Sequence, residues 1–503
     1  MTNSSRVAQV VSGQIISAIV YSNEDPSKTV ELKEGIVRVL YYESILQDTV
    51  RATVIYVDSG DTIDKDGVMV SAVEGLPIVG QERFELVFAD KYPTQGIEPN
   101  EISFTKEGDN SLYVNKITPV VSNTNQSLVM LDLVSKEYIL NEKMRVNTRF
   151  DGKISDHVKG ILTDMEFDKD GAKVQKNYLN TKKDVDVEDS VGEYNFCGNN
   201  KKPFYTMNWL SKKAVPDKGN PQALGNSAGY FLWETSEGYK FKSIDWLMNK
   251  DENPKKKSII FNDTPFIPGN RQYDIKALAA EKDNRVDIQK KLKMGAYSTR
   301  TIMFNPFNNH YEVIAPNAYG DDDVPATQEK LKLAGEKLPV LNQEFNMNAR
   351  EGGSSGGTTE TPKEFSRTQF MCIDSGTLIA DGSKDPKQWS KGTKAQLEKS
   401  KEEQNFEIKN ILSQSSMRYN QLFSTKISVT IPGEFSLHAG DSIFFDGPKM
   451  TGLDQTKDEV DDKDGGLYII ADICHYSDVR NKCYTKMNLV RDSTERKGTA
   501  QGG

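Results

Sequence analysis

The segment of this chain that most resembles an enzyme motif is a serine between small residues, Gly225-Asn-Ser-Ala-Gly229. The spacing G-x-S-x-G is that of the nucleophile elbow of serine hydrolases, which requires a strand before the serine and a helix after it. Here a polar loop precedes the motif and a strand-like aromatic run follows it, and only His310, His438 and His475 lie downstream as general bases. We therefore predict a turn of small residues, and we expect Ser227→Ala to cost at most about 0.5 kcal/mol, as for an ordinary surface change.

A second candidate for chemistry is the tetrapeptide Asp-Lys-Asp-Gly, which occurs at 64–67, 168–171 and 462–465. Carboxylates at this spacing are typical of calcium-binding loops, but such loops also need a bidentate acid at the twelfth position. In the three segments that position holds Val73, Asn177 and Ala471. We predict tight turns instead, because Asp and Gly tolerate the backbone conformations that turns require.

The remaining side chains that carry chemistry do not form a recognisable site. The four histidines (His157, His310, His438 and His475) have no Cys or His nearby at zinc-ligand spacing. No phosphate-binding loop ending in Gly-Lys-Ser/Thr occurs, and nothing in the sequence singles out a glycosidase carboxylate pair. We therefore predict no catalytic, cofactor-binding or metal-binding residue, no cofactor, and a chain that is not an enzyme.

The cysteines are too few and too scattered for a disulfide framework. They are Cys197, Cys372, Cys474 and Cys483. Cys474 and Cys483 are spaced to face each other across a hairpin, so whether they pair stays open. We expect them to be reduced, as in a protein made in the cytosol.

Length and composition indicate a polar, multidomain protein. The chain has 503 residues, of which 36% are hydrophobic and 27% charged, and its net charge is −9. At about 150 residues per domain this length predicts roughly three domains. The acidic balance argues against a surface that grips nucleic-acid phosphates. No apolar run is long enough to span a bilayer, and the N-terminal run, 7–20, lacks the features of a signal peptide.

Two strand-rich regions flank a different middle region. Residues 1–137 show period-two runs of β-branched and aromatic residues, typical of a barrel or sandwich. In 138–256 we predict a helix capped by Ser155, another that starts near Pro203, and a hairpin over 229–243. This region reads as an α/β insertion, and strands return from 425.

The rest of the chain is more irregular in sequence. We predict a helix over 284–294 that stops at Gly295, and a flexible acidic and Gly/Ser-rich linker over 319–363. A highly charged, exposed helix is expected at 391–415, and a disordered tail at 493–503.

The two strand-rich regions share an order of short segments. Near the N-terminus these are Leu76-Pro-Ile-Val-Gly80, Leu112-Tyr113 and Leu131-Asp-Leu-Val134. Near the C-terminus they are Ala439-Gly-Asp441, Leu467-Tyr468 and Met487-Asn-Leu-Val490, at similar intervals. We interpret this as an internal duplication that pairs Gly80 with Gly440 and Tyr113 with Tyr468, within a few residues.

A wider set of segments carries a resemblance to a known family. They include Tyr41-Tyr-Glu-Ser-Ile-Leu46, Leu76-Pro-Ile-Val-Gly80, Asn208-Trp-Leu210, Gly295-Ala-Tyr-Ser-Thr-Arg300, Ala439-Gly-Asp441 and Gly466-Leu-Tyr468. In order and spacing the chain resembles the baseplate central hub proteins of contractile-tailed bacteriophages, and more distantly the VgrG-type hubs of secretion spikes. The resemblance covers about 10–320 and 416–492. The region between, 319 to about 415, looks longer than the family needs.

The resemblance implies a β-rich α+β fold with two related tube-type β-barrels. The first barrel would occupy 1–137 and the second 257–318 with 364–492, with the α/β insertion at 138–256 between them. Ten family-motif positions are carried over as structural interface candidates: Tyr41, Tyr42, Pro77, Gly80, Trp209, Tyr297, Pro432, Gly440, Asp441 and Tyr468.

The function implied is that of a structural hub in the virion tail baseplate, assembled in the host cytoplasm. Such hubs are homotrimers whose six barrels seat a sixfold tail tube or tube-initiator protein on one face. The insertions hold a trimeric central spike on the other face, and baseplate wedge proteins surround the ring. DNA would pass through the channel without specific binding, and no membrane is involved. The alternatives are a tail-associated cell-wall-degrading enzyme and a secretion-system spike hub.

Overall fold

Sixteen strands from both ends of the chain pair in one sheet. The computed structural model describes residues 11–60, 62–65, 67–92, 98–122, 126–163, 165–167, 173–175, 178–217, 227–262, 273–283, 287–296, 299–305, 310–314, 333–335, 367–372, 408–447, 464–480 and 482–495. In this part of the chain no helix is both long and apolar enough to cross a membrane.

The N-terminal region is built almost entirely of strands, because its apolar side chains alternate with polar ones. Residues Arg51–Ser59, for example, alternate between buried and more exposed positions. Its elements are β1 (Val11–Ser12), β2 (Gln14–Tyr21), β3 (Thr29–Glu31), β4 (Ile36–Ser44), β5 (Arg51–Ser59), β6 (Ile63–Lys65), β7 (Val68–Val70), α1 (Ala72–Gly75), β8 (Arg83–Ala89), β9 (Glu101–Phe104), β10 (Leu112–Ser122) and β11 (Gln126–Ser135).

The middle region mixes helices with short strands. Its elements are α2 (Lys136–Lys143), β12 (Arg149–Phe150), α3 (Ile154–Thr163), β13 (Met165–Phe167), β14 (Lys173–Gln175), β15 (Asp184–Val187), β16 (Phe196–Cys197), α4 (Pro203–Ser211), β17 (Tyr230–Thr235), β18 (Gly238–Ser243) and α5 (Ile244–Met248). The helix at Pro203 and the hairpin of β17 and β18 confirm two predictions from the sequence. Ser155 lies inside α3 and is not its cap.

The C-terminal region returns to strands. Its elements are β19 (Lys257–Ile260), β20 (Ile275–Lys276), β21 (Ala279–Lys282), α6 (Ile288–Met294), β22 (Thr299–Asn305), β23 (His310–Ile314), β24 (Arg367–Cys372), α7 (Ile408–Leu422), β25 (Thr425–Pro432), β26 (Ser442–Asp446), β27 (Gly466–Asp478) and β28 (Lys482–Arg491). Helix α6 ends at Gly295, which has a φ of +81°, so the predicted C-terminal stop is confirmed.

Two groups of five strands within the large sheet have the same order and the same directions. The first strand set is β4-β5-β11-β10-β8, and the second is β21-β25-β28-β27-β26. Every neighbouring pair in both sets is antiparallel. The strand beyond each set differs, because β2 runs antiparallel to β8 whereas β19 runs parallel to β26. The topology thus supports an internal duplication, while the two closed barrels stay a prediction.

A β-bulge at the same place in each set fixes the equivalence of individual residues. The bulge in β10 falls between Val114 and Lys116, and the bulge in β27 falls between Ile470 and Asp472. Val114 pairs with Leu133, and Ile470 pairs with Leu489. From these bulges Leu112 corresponds to Tyr468, one residue from the predicted match with Tyr113.

The three largest apolar cores of the described residues lie in the first strand set, the middle region and the second strand set. Strand β17 connects the last two. Tyr230 and Leu232 pack in the core of the middle region, whereas Phe231 and Trp233 pack in the core of the second strand set. Since successive side chains of a strand point to opposite faces, β17 is buried on both sides.

Several irregular segments differ from the expectation. The residues of β22, β23 and β24 were assigned to the second barrel by the sequence, but they form a separate three-stranded sheet. Leu333 and Ala334, within the predicted flexible linker, are buried. Ser493, the first residue of the predicted disordered tail, is fully buried and donates to Asp492. Most of the linker and tail lie outside the described residues.

The predicted charged helix at 391–415 also differs where it is described. Residues 391–407 lie outside the described part, and α7 runs on to Leu422. Ile411, Gln414 and Ser415 are buried, so the prediction of an exposed helix is wrong for this portion.

Candidate assembly site

The two strand sets meet where β4 pairs with β27. The antiparallel register places Ser44 opposite Asp472, Tyr42 opposite Cys474, and Tyr41 opposite His475. Strand β27 has 13 residues, and its first residues pair with β26 on the same edge that β4 then takes over. This strand-set junction joins segments that are more than 400 residues apart in the sequence.

A buried carboxylate, Glu43, holds three parts of the chain together at this junction. It accepts hydrogen bonds from the Tyr41 hydroxyl (2.8 Å), the Ser236 amide (3.1 Å) and the Ala439 amide (2.9 Å), and its Oε1 lies 3.0 Å from His438 Nδ1. Burial opposes ionisation, but the charge and hydrogen bond of His438 prevail and lower the pKa of Glu43 to about 2. Glu43 is therefore a saturated structural acceptor.

The pKa of the partner histidine, His438, shifts in the opposite direction. Burial favours the neutral imidazole of His438, but Glu43 stabilises the charged form and raises its pKa. His475, by contrast, is fully buried, and desolvation lowers its pKa to about 4. Its Nε2 lies 3.1 Å from the Leu437 carbonyl and its Nδ1 3.1 Å from the Thr485 hydroxyl, so the neutral ring is hydrogen-bonded on both sides.

A second buried ionic cluster ties the middle region to the first strand set. Lys183 Nζ lies 2.7 Å from Glu137 and 2.6 Å from Glu234, and all three side chains are at most 5% exposed. Glu234 also accepts from the Val50 amide and the Ser135 hydroxyl. Burial and the charge of Glu137 raise the pKa of Glu234, whereas Lys183 outweighs burial and lowers the pKa of Glu137.

A third buried cluster ties the middle region to the second strand set. Arg418 on α7 lies 3.3 Å from Asp245 and 3.0 Å from Asp492, with both it and Asp492 completely buried. Its Nε donates to the Ser227 hydroxyl at 3.1 Å, and this hydroxyl donates to Asp245 at 2.6 Å. Burial raises the pKa of Asp245, and Arg418 and Ser227 counter that shift.

This geometry corrects the expectation for Ser227. A strand, β17, follows the serine, as predicted, so a strand–turn–helix elbow is absent from the described residues at this position. Ser227 is nevertheless 0% exposed and not an ordinary surface residue. Its hydroxyl links a buried arginine and a buried carboxylate, so the predicted cost of Ser227→Ala, about 0.5 kcal/mol, is too small.

A carboxylate-braced turn precedes the last strand of each set. In the first, the Gln81 amide donates to Val114 and Glu82 accepts from the Val79 amide at 2.8 Å. In the second, the Gly440 amide donates to Ile470 and Asp441 accepts from the His438 amide at 2.9 Å. Both Gln81 and Gly440 have a left-handed φ, of 70° and 90°.

These contacts refine the predicted match of Gly80 with Gly440. Val114 and Ile470 are the equivalent bulge residues, so Gln81 is the counterpart of Gly440, one residue from the prediction. Glu82 is likewise the counterpart of Asp441. The duplication therefore extends from strand order to single hydrogen bonds.

A groove of about 550 Å³ lies along the junction, between residues of both strand sets. Its walls combine apolar and polar surface, and Tyr42, Arg51, Asp132 and Asp472 are among the polar lining residues. Cys474 also lines this groove, and burial raises the pKa of its thiol to about 11. The thiol is therefore protonated at neutral pH.

The predicted site residues fall into two groups. Tyr41, Tyr42, Gly440 and Asp441 come together around the junction and the Glu43 cluster. The others lie apart, with Pro77 and Gly80 before β8, Trp209 on α4, Pro432 at the end of β25 and Tyr468 on β27. Tyr297 lies outside the described residues. Whether these positions form an interface stays a prediction.

The segments that resemble calcium loops and the two cysteines that could face each other can be located in part. The described residues contain no group of three or more His, Cys, Asp or Glu side chains arranged to hold a metal ion. At the first Asp-Lys-Asp-Gly segment, Gly67 has a φ of +83° and its amide donates to Asp64, which confirms a turn there. Cys474 pairs in register with Lys486, and Cys483 with Ser477, so the two cysteines do not face each other. All four cysteines are free.

Most of the residues that form the ionic clusters were not predicted from the sequence. Glu43 and Glu234 carried a detectable signal, since each is a carboxylate inside an aromatic or apolar strand, and such positions are buried only when satisfied. Arg418 and Lys183 carried none, because each has several polar residues nearby and arginine and lysine are usually exposed. Their partners are determined only by the tertiary fold.

No protein-family model matches the sequence, and no curated protein matches it. Several solved structures are similar across most of the chain. The 43 kDa tail protein of prophage MuSo2 from Shewanella oneidensis is 8% identical, with a TM-score of 0.43 over 95% of this chain and 98% of that one. The tail protein from Neisseria meningitidis MC58 is 9% identical, with a TM-score of 0.44 over 95% and 96%.

A third similar structure comes from a secretion system. The c3393 protein of E. coli, a component of the type VI secretion system, is 6% identical, with a TM-score of 0.36 over 92% of this chain and 76% of that one. Other similar structures include the baseplate of phage P2 and a Francisella PdpA–VgrG complex. The proteins to which the chain is similar are thus phage tail and baseplate proteins and secretion spike components.

Proposed function

We propose that this chain is a structural, non-enzymatic hub of a phage tail baseplate, which acts as a homotrimeric ring. Each chain would donate two tube-type barrels, so that three chains present six similar units to a sixfold tail tube or tube-initiator protein. The middle regions would keep threefold symmetry and hold a trimeric central spike. The hub would reside in the virion tail, after assembly in the host cytoplasm.

The observation that supports this proposal is the pair of equivalent strand sets joined head to tail by β4 and β27. A head-to-tail contact between equivalent units uses two different surfaces, and repeating it generates a ring when the rotation closes. The three buried ionic clusters support the same role, because they fix the middle region to both strand sets. A rigid chain of this kind suits an adapter that transmits a fixed symmetry.

The proposal is tested by the mass and shape of the purified protein. We expect a trimer by mass photometry, measured at several concentrations because ring interfaces depend on protomer concentration. Class averages of negatively stained particles should show a ring with six similar lobes. A stable dimer or hexamer, or a ring with only three lobes, would contradict the proposal.

Two further measurements distinguish this function from its alternatives. Cell-wall hydrolysis by the isolated chain would indicate the tail-associated enzyme instead. We also expect no salt-sensitive binding of duplex DNA, because a net charge of −9 per chain repels phosphates. Micromolar binding that weakens steeply with added salt would contradict a channel through which DNA passes freely.

A further inference from the structure

The bulges in β10 and β27 relate the environments of equivalent strands in the two sets. In the second set, the edge of β27 beyond β26 is covered by β4 of the first set. In the first set, β10 separates from β8 after Tyr113, just as β27 separates from β26. Among the described residues no strand pairs with β10 on this edge, where Asn115, Lys116 and Val120 are exposed. The first set therefore has the same acceptor edge, and none of the described strands occupies it.

The strand that covers such an edge, here called the donor strand, also has an equivalent in the second set. Strand β4 pairs with β5 on one side and with β27 on the other. Its equivalent, β21, pairs with β25, and its other edge has no partner strand in the described part of the chain. Residues 281–283 of this segment are exposed. Within the described residues, the pair of β4 and β27 is formed, whereas β21 and β10 are each without a partner strand on the equivalent edge.

We propose that β21 of one copy pairs antiparallel with β10 of the next copy and repeats the junction that β4 and β27 make within the chain. This inference rests on the proposed ring and identifies the contact that closes it. Counting from the bulges, Asp283 occupies the place of Tyr42, and Thr118 occupies the place of Cys474. The register therefore puts Asp283 of one copy opposite Thr118 of its neighbour.

The junction within the chain, between β4 and β27, and the proposed contact between copies, between β21 and β10, differ in chemistry. The first suits a permanent contact, and the second suits a contact that forms on assembly. Within the chain, Tyr41 stacks on His475 at a centroid distance of 6.1 Å. The equivalent residues at the contact between copies are Lys282 and Pro119, which cannot form that stack. Lys116 of one copy lies one diagonal position from Asp283 of the other, so opposite charges face each other. The contact between copies is thus shorter, more polar and sensitive to salt.

The exposed edge also has the features that prevent uncontrolled pairing. Lysine and proline on an edge strand discourage association with arbitrary strands, and β10 has Lys116 and Pro119 there. Strand β21 is only four residues long. Such a short donor fits an edge that accepts one selected partner.

Cysteine cross-linking tests the register directly. The full chain would carry Thr118→Cys and Asp283→Cys, with the exposed Cys197 and Cys372 changed to Ser. Residues directly opposite each other in an antiparallel pair have Cα atoms about 4.5 to 5.5 Å apart, which is within the range that disulfides bridge. We expect mild oxidation to link at least half of the chains into covalent oligomers no larger than trimers on a denaturing gel.

Two matched controls calibrate this result. Tyr42→Cys in the same background should form an internal disulfide with Cys474, because these positions are paired within the chain. Thr118→Cys combined with Ala279→Cys should give less than a fifth of the cross-linking, since Ala279 lies four residues, about 13 Å, along the strand from Asp283.

A charge exchange gives a second readout that needs no oxidation. Lys116→Asp alone should weaken trimer formation about tenfold, and the double variant Lys116→Asp with Asp283→Lys should restore it. Trimers that do not cross-link at 118 and 283, or that show no restoration, would overturn this inference and leave the proposed hub intact. A chain that stays monomeric at every concentration would overturn both.

Discussion

The carboxylate-braced turns of the two strand sets have the same backbone but different surroundings. Before β8 the turn is open to solvent, and Val79 is 82% exposed. Before β26 the turn is covered by the middle region, and the Trp233 indole donates to the Ala439 carbonyl at 2.9 Å. The two equivalent turns therefore have different environments, and the turn before β26 is the one that the middle region contacts. What distinguishes the copies is what covers them.

The largest difference between the copies is the Arg418 cluster, which has no described counterpart in the first strand set. Arg418→Met removes a buried cation from between Asp245 and Asp492 and leaves two buried carboxylates without it. We expect a loss of about 3 to 5 kcal/mol in the free energy of unfolding, measured by urea denaturation with tryptophan fluorescence.

The control for this substitution is an exposed ion pair. Lys202 and Glu142 are 41% and 56% exposed, so Lys202→Met should cost no more than about 1 kcal/mol. Equal losses for Arg418→Met and Lys202→Met would mean that the buried cluster does not attach the middle region to the second strand set.

The Glu43 cluster should make stability depend on pH in a defined direction. The pKa of Glu43 falls from 4.5 to about 2 on folding, so its contribution is complete above pH 4.5 and is lost as the pH falls towards 2. That shift corresponds to about 3 kcal/mol. We expect Glu43→Gln to be less stable than the wild type at pH 5 and to lose less stability between pH 4.5 and 2.

His438 gives stability the opposite dependence on pH, at higher pH values. Because the pKa of His438 is raised on folding, its contribution is complete below its unfolded value of 6.5 and is lost as the pH rises through the folded value. Urea denaturation at a series of pH values measures both effects. Parallel stability curves for wild type and Glu43→Gln would show that this carboxylate does not brace the junction.

Glycine substitutions compare the two turns at positions that differ by one residue in the match. A Cβ at Gly440 would lie 2.6 Å from the Trp233 ring, whereas a Cβ at Gly80 would have its nearest contact at 3.9 Å. Both residues have a positive φ, so alanine strains the backbone in either turn. We expect about 3 kcal/mol of destabilisation for Gly440→Ala and about 1 kcal/mol for Gly80→Ala, from thermal unfolding. A larger effect at Gly80 would reverse the assignment of covered and open turns.

A smaller effect than that of Gly440→Ala is expected for Ser227. Ser227→Ala removes the hydroxyl between Arg418 and Asp245 but leaves their ion pair, so we expect a loss of about 1 to 2 kcal/mol. Exposed Ser27→Ala provides a control and should stay within about 0.5 kcal/mol. If the two variants had the same stability in urea, the original expectation of a surface serine would be restored.

The elements that the sequence predicted well are those determined by local patterns. The stop at Gly295, the helix at Pro203 and the hairpin of β17 and β18 follow from backbone preferences and alternation. The duplication was detectable because its segments kept their order, although the match was displaced by one residue. A one-residue displacement is expected when the bulges of β10 and β27, which fix the register, leave no mark on the sequence.

The elements that could not be predicted depend on distant partners. A run of charge such as 391–415 indicates an exposed helix, yet Gln414 is buried and accepts a hydrogen bond from the Ala228 amide of the middle region. Arg418, just beyond this run, is buried between Asp245 of the middle region and Asp492 near the C-terminus. Ser155 has the residue type of a helix cap, but it lies within α3 and contacts Ser190. In each case the side chain's role depends on a partner that the local sequence does not contain.

The pairing of β4 with β27 has a consequence for biosynthesis. Ser44 and its partner Asp472 are 428 residues apart. At the usual translation rate of about 5 to 20 residues per second, about 20 to 90 s pass between the synthesis of β4 and the synthesis of its partner strand. During that time a nine-residue strand has one open edge, which is a site for misassembly between nascent chains. Slow completion of β27 is therefore the step at which the yield of native protein should respond most to temperature and to chaperones.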